Sequence, residues 1–126
     1  MNDYIDFSNV SEWFEEVLRR HHLLRYSQLT SLTERQLLGL GLGVGSVRHA
    51  YLLLEQEGLS FRNGEDCLCR IGFQRYHLKQ LMDCCDDLNE LESYSENDLV
   101  HECGFSRERA EFIASRMKYF GRPLRG

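Results

Sequence analysis

The chain has 126 residues with 42% hydrophobic and 28% charged side chains, the balance of an ordinary globular protein. Its formal net charge of −5 argues against nonspecific binding to nucleic acid, which needs a basic surface, and no apolar run is long enough for a membrane-spanning helix. The single proline, Pro123, lies near the end, so nothing in the interior must break a helix.

The opening "MNDYIDFSNVSEWF" has neither a basic start nor the apolar core of a secretory signal, so a cytoplasmic or nuclear location is expected. Within "NVSEWFEEVLRRHHLLRY", Asn9 and Glu12 have capping-box spacing, and Trp13, Phe14, Val17, Leu18 and Leu24 recur at helical spacing. Glu12, Glu15, Glu16, Arg19 and Arg20 fall on the other face, acids early and bases late, as the helix dipole favours. A second box, Thr33 to Gln36, predicts a short helix carrying Leu37, Leu38 and Leu40 inward and ending at Gly41. Ser46 is then expected to cap a longer helix with Val47, Ala50, Tyr51 and Leu54 on its apolar face, stopped by Gly58.

Residues 59–74 interrupt this pattern. "RNGED" is a turn signal, and Leu59, Phe61, Leu68 and Ile71 allow either a small hairpin or a connecting loop. Helical patterning returns at Arg75 and continues through "RYHLKQLMDCC", "LNELESYSENDLVHECG" and "SRERAEFIASRMKYFG". The expected fold is therefore all-α, a compact bundle of about six or seven short helices. Residues 1–58 form one helical half, 59–74 the connection, and 75–126 a second half packed with the first as one unit.

Five cysteines at irregular spacing, Cys67, Cys69, Cys84, Cys85 and Cys103, read as thiols of a reducing compartment, several of them buried. A zinc site drawn from these together with His77 and His101 is the competing reading, but "CLC" and "CC" lack the paired spacing of structural zinc. No metal or other cofactor is expected. Adjacent acids such as Asp86 and Asp87 diverge on a helix, and no catalytic constellation is present, so no enzyme activity and no small-molecule substrate are expected.

The stretch "GLGLGVGSVRHA" admits three readings. In the first, Gly41 caps a helix while Gly43 and Gly45 turn the chain at positive φ ahead of Ser46. In the second, the turn resembles a helix-hairpin-helix, with Gly43, Gly45, Ser46 and Arg48 offered to a nucleic-acid phosphate. A dinucleotide fingerprint or P-loop is the third, and it is set aside because a helical pattern precedes and no Gly-Lys pair occurs.

The halves echo one another. Thr33-Glu34, Leu37, Gly41-Leu42, Ser46 and Ala50 parallel Ser95-Glu96, Leu99, Gly104-Phe105, Ser106 and Ala110, with "GVG" as an insertion in the first. Leu32-Thr33, Leu37, Leu40-Gly41-Leu42, Gly45, Arg48 and Leu52, with Trp13 upstream, resemble the sterile alpha motif (SAM) pattern over some forty residues. The match departs between Trp13 and Leu32, where too little chain remains for the family's usual second helix. The second half matches more loosely through Leu91, Leu99, Gly104, Phe105 and Ile113.

The resemblance implies a protein–protein interaction module of a scaffold, signalling or regulatory protein, binding another SAM domain or itself. Such domains often join head to tail, an acidic middle surface against the basic start of the last helix. Asp83, Asp86, Asp87 and Glu90 would supply the first surface, and Arg107, Arg109, Arg116 and Lys118 the second. Read without the resemblance, these charges are solvated helix faces paired within their helices.

Overall fold

The computed structural model describes residues 2–126, and among them it contains eight α-helices, two 3-10 turns and no β-strand. The all-α class follows from the two helical periodicities in the sequence, and the chain divides into two units, Met1–Gly64 and Glu65–Gly126.

The first unit contains α1 (Glu12–Arg20), α2 (Tyr26–Leu29), α3 (Glu34–Leu38) and α4 (Val44–Gln56). Helix α1 starts at Ser11, whose Oγ accepts a hydrogen bond from Phe14 N at 3.1 Å. The expected cap, Asn9, lies two residues short of that position, in a turn. Phe14, Val17 and Leu18 are buried, but Trp13 is 49% exposed. At about 100° per residue Phe14, Val17 and Leu18 occupy one arc of the helix about 100° wide, and Trp13 falls outside it, roughly 90° from its centre. Trp13 instead carries the Arg20 guanidinium 5.9 Å from its ring centroid. On the outer face Glu15 pairs with Arg19 at 2.7 Å and Glu16 with Arg20 at 2.8 Å. The segment where the family pattern runs short holds a helix of only four residues, α2.

Thr33 caps α3 in a reciprocal box: its Oγ1 accepts from Gln36 N, and Gln36 Oε1 accepts from Thr33 N. Leu37 is fully buried, whereas Leu38 and Leu40 are only half-buried. Helix α4 begins at Val44 with Gly43 as its cap, three residues earlier than the expected Ser46 cap. Only Gly41 of the three alternate glycines has positive φ, at 106°; Gly43 is extended at −77° and Gly45 lies in the first helical turn. Glycine serves as an N-cap without a side-chain acceptor, which is why the serine misled. Before α1, Ile5 N donates to Leu24 O and Tyr26 N to Asp3 O, fastening residues 3–5 along the connection between α1 and α2.

Residues 59–74 form no hairpin: they hold two 3-10 turns, Gly64–Asp66, which starts on the last residue of the first unit, and Leu68–Ile71 in the second. Then follow α5 (Arg75–Cys84), α6 (Leu88–Glu92), α7 (Glu96–His101) and α8 (Arg107–Tyr119). Its core includes Leu68, Ile71, Phe73, Leu78, Leu81, Leu88, Leu91, Leu99, Phe105, Ile113 and Met117. Arg122 closes the unit, donating to Asp66 at 2.8 Å, to Glu65 O at 3.1 Å and to the Glu92 carboxylate. Cys84 and Cys103 form a disulfide, correcting the reading of all five cysteines as thiols; Cys67, Cys69 and Cys85 are buried and lie outside it.

Each unit has the same order: a first helix, two short helices and a last helix of 13 residues. Ser95 repeats the capping box of Thr33. Gly43 and Ser106 occupy equivalent caps, so "GVG" is no insertion: Gly43 is the cap, and Val44 and Gly45 open the first turn of α4. Both long helices end in the same way, with Leu59 N donating to Leu54 O and Arg122 N to Met117 O across Gly58 and Gly121, both at positive φ. Even the contact between first and last helix recurs with its partners exchanged. Phe14 stacks on His49 at 5.4 Å in one unit, and His77 lies 5.2 Å from Phe112 in the other.

Candidate interaction surface

Helix α8 is set by Ser106, whose Oγ accepts from Arg109 N at 3.2 Å. Ala110, Ile113 and Met117, at i, i+3 and i+7, point inward and are fully buried. That choice of inner face turns Arg109, Phe112, Arg116, Tyr119 and Phe120 outward. Phe112 and Phe120 are exposed, and Tyr119 is 81% exposed. From α5, exposed Tyr76 joins the stripe, with the Arg109 guanidinium 4.9 Å from its ring centroid. Arg116 lies 5.3 Å from the Phe120 ring and 6.0 Å from that of Tyr119. The same guanidinium donates to Ile71 O at 2.9 Å, which fixes its position. A groove of about 520 Å³ runs beside the stripe, lined by Gln74, Tyr76, Ser106, Arg109, Phe112 and Ser115 among others.

Beneath the stripe lies His77, 3% exposed, against Tyr76, Phe105 and Phe112. Neither of its ring nitrogens has a hydrogen-bond partner among the described residues. Burial, and then the charge of Arg109, lowers its pKa below the ordinary 6.5. Both effects favour the neutral imidazole.

The sequence-derived basic set separates along α8. Arg107 and Arg109 stand at its start and Arg116 and Lys118 near its end, about 14 Å apart at the helical rise. Arg107 is directed to Asn97 Oδ1 at 2.7 Å, and Lys118 is exposed on a different face from Arg109. The acidic set gathers where α5 passes into α6. Asp83 and Asp86 are exposed there. Asp87 caps α6 by accepting from Glu90 N at 2.8 Å, and Glu90 accepts from Asp86 N at 3.0 Å and from the Tyr94 hydroxyl at 3.3 Å. Burial, followed by the charges of Cys85, Glu90 and Glu102, pushes the Tyr94 phenol above its ordinary range.

The residues of the hairpin alternative occupy the start of α4. Ser46 N donates to Gly43 O at 3.0 Å, Gly45 and Ser46 lie in the first turn, and Arg48 is half-buried. The stretch is thus the start of a helix, where the first backbone N–H groups have no partner within the helix. Among the described residues, Cys84, Cys85 and Cys103 are the one group of three or more His, Cys, Asp and Glu side chains whose donor atoms converge closely enough for a metal.

Charge in the sequence marks Arg109 and Arg116 but does not mark Phe112 and Tyr76 as their companions. The spacing of Arg109, Phe112, Arg116 and Tyr119 on one helix was available; the approach of Tyr76 from another helix was not. No protein-family model, no curated protein and no solved structure matches this chain.

Proposed function

We propose that this chain is a protein–protein interaction module of a scaffold, signalling or regulatory protein, built as a tandem of two SAM-like helical units. The observation that carries this reading is the stripe of arginine and aromatic side chains along α8, with Arg109, Phe112, Tyr119, Phe120 and, from α5, Tyr76 exposed and Arg116 half-buried among them. Aromatic and arginine side chains dominate the residues that contribute most to protein–protein affinity. Such a set, positioned by cation–π contacts and by the bond from Arg116 to Ile71 O, loses little side-chain freedom on docking.

The partner is an acidic helical surface, and the chain's own Asp83, Asp86, Asp87 and Glu90 supply one. A contact between the stripe of one copy and the acidic turn of the next is heterologous, so it propagates into chains unless its geometry closes a ring. Opposite charges set orientation and on-rate, and the aromatic rings provide apolar contact area.

Sedimentation velocity over a concentration series tests this reading. The wild-type protein is expected to show species larger than a monomer as concentration rises, and Phe112→Ala with Tyr119→Ala to abolish them while the helical circular dichroism persists. Association unchanged by both substitutions refutes the stripe as the contact. A wild type monomeric at every concentration refutes self-association.

A further inference from the structure

We propose that Cys84, Cys85 and Cys103 form a three-sulfur site for a thiophilic divalent cation of the zinc class, opened when the Cys84–Cys103 disulfide is reduced. The three Sγ atoms all lie within 4.8 Å of one another. Sulfurs sharing one zinc at about 2.3 Å stand about 4 Å apart, so the trio needs only a local adjustment once the disulfide is open.

The backbone explains the convergence. Cys84 ends α5 and Cys85 is its C-cap, extended at φ −127° and ψ 147°, which sends successive side chains in different directions. Cys85 N donates to Leu81 O at 2.7 Å, which holds that cap on the helix. Cys103 arrives from the end of α7, just before Gly104 at φ +76°, and its carbonyl accepts from Gln80 Nε2 at 3.0 Å. Both sides of the site are therefore anchored independently of the sulfur atoms. Cys85 is fully buried and its two companions are half-buried, so a cation would reach the site from the side of Cys84 and Cys103.

The donor set and its surroundings select the cation. Three thiolates favour soft or borderline metals such as zinc and monovalent copper over calcium or magnesium. A divalent ion on three thiolates leaves one net negative charge, and a monovalent ion leaves two. The site sits at the C-terminal, negative end of α5, with Asp83, Asp86 and Glu102 adjacent to its cysteines in sequence, so the smaller negative charge is favoured. Water can complete the fourth position, as in open zinc sites.

The step balances with a dithiol as reductant. The dithiol gives up two electrons and two protons and becomes a disulfide, and the Cys84–Cys103 bond breaks to give two thiols. The cation then displaces one proton from each of three thiols. Oxidation returns two of the three sulfurs to the disulfide, so metal loading and the disulfide exclude one another.

The test uses the full chain, reduced anaerobically with a phosphine and titrated with cobalt(II) as the spectroscopic probe. Thiolate-to-cobalt charge-transfer absorption is expected to saturate at one cobalt per chain and to be bleached by zinc(II). Alkylation followed by mass spectrometry of the wild type should show Cys84, Cys85 and Cys103 protected by zinc, with Cys67 and Cys69 reacting as they do without it. Cys85→Ser should weaken cobalt binding by more than about tenfold while the helical signal persists. Several results overturn the proposal: no charge-transfer band in the reduced chain, the same band in the oxidised chain, or metal protection that omits Cys85. Protection by copper(I) with none by zinc(II) or cobalt(II) overturns the divalent assignment.

Discussion

Replacing His77 with phenylalanine should stabilise the second unit and remove a pH dependence. A neutral imidazole has one donor and one acceptor, and at His77 both nitrogens are buried without a partner among the described residues. Each such buried group costs about 1–3 kcal/mol, and phenylalanine, a ring of comparable shape, carries neither. The first unit already places Phe14 at the corresponding contact, against His49. Part of the gain is lost to fitting a slightly larger ring, so the net expectation is about 1–2 kcal/mol, a five- to thirtyfold change in the opening equilibrium. Because burial and then Arg109 lower the His77 pKa below 6.5, the unfolded chain binds the proton more readily than the folded one. Stability is then unaffected by this group above about 6.5 and falls as the pH drops from there toward the folded value, by at most about 1.4 kcal/mol per pH unit. Hydrogen exchange of the α5 and α8 amides between pH 5 and 8 reads both effects, with α1 and α4 amides for comparison. The variant should slow exchange in α5 and α8 and lose the component of acid sensitivity that the wild type shows below 6.5. An unchanged acid profile in the variant, or faster exchange at neutral pH, refutes the reasoning.

Ser11→Ala should cost about 1 kcal/mol in urea denaturation and Asn9→Ala a few tenths at most, since Ser11 caps α1; the reverse order would restore Asn9 as the cap. His22, the one non-glycine among the described residues at positive φ (58°), follows α1, so His22→Gly should raise the unfolding free energy in urea by about 0.5–1 kcal/mol, and a lower value would show the histidine to be better suited to that turn. Arg122→Met should cost about 1–3 kcal/mol, because it strips partners from Asp66, Glu92 and the Glu65 carbonyl; thermal unfolding within experimental error of the wild type would show the cluster to be incidental.

The parts of this fold that were legible in the sequence are those governed by near neighbours. Thr33 and Gln36 are three residues apart, and their reciprocal bonds form as expected. Of the inward set Val47, Ala50, Tyr51 and Leu54 that the helical period gives, Val47, Ala50 and Leu54 are fully buried and Tyr51 is half-buried. Boundaries failed where two residues could do one job. Asn9 and Ser11 are both good caps, and Gly43 needs no side chain to begin α4 ahead of Ser46. Trp13 beside Phe14 reads as core in composition, but it lies outside the arc that Phe14, Val17 and Leu18 define on α1. The disulfide joins residues 19 apart from different helices, and no local pattern encodes that approach. The interaction surface was half visible for the same reason. Charge marked Arg109 and Arg116, whereas the aromatic partner Tyr76 came from α5.

The central claim, that the α8 stripe docks on the acidic turn of another copy, is tested most directly by complementation in the ultracentrifuge. One variant carries Asp83→Lys and Asp86→Lys, the other Phe112→Ala and Arg109→Glu; all four positions are exposed, so each variant should keep the wild-type helical signal. Alone, each variant has one impaired surface and is expected to sediment as a monomer. Mixed in equal amounts, each supplies the surface the other lacks, and the account predicts a single capped pair with nothing larger, where the wild type forms longer chains. A mixture that remains monomeric while the wild type associates, or variants that associate alone as the wild type does, would contradict it.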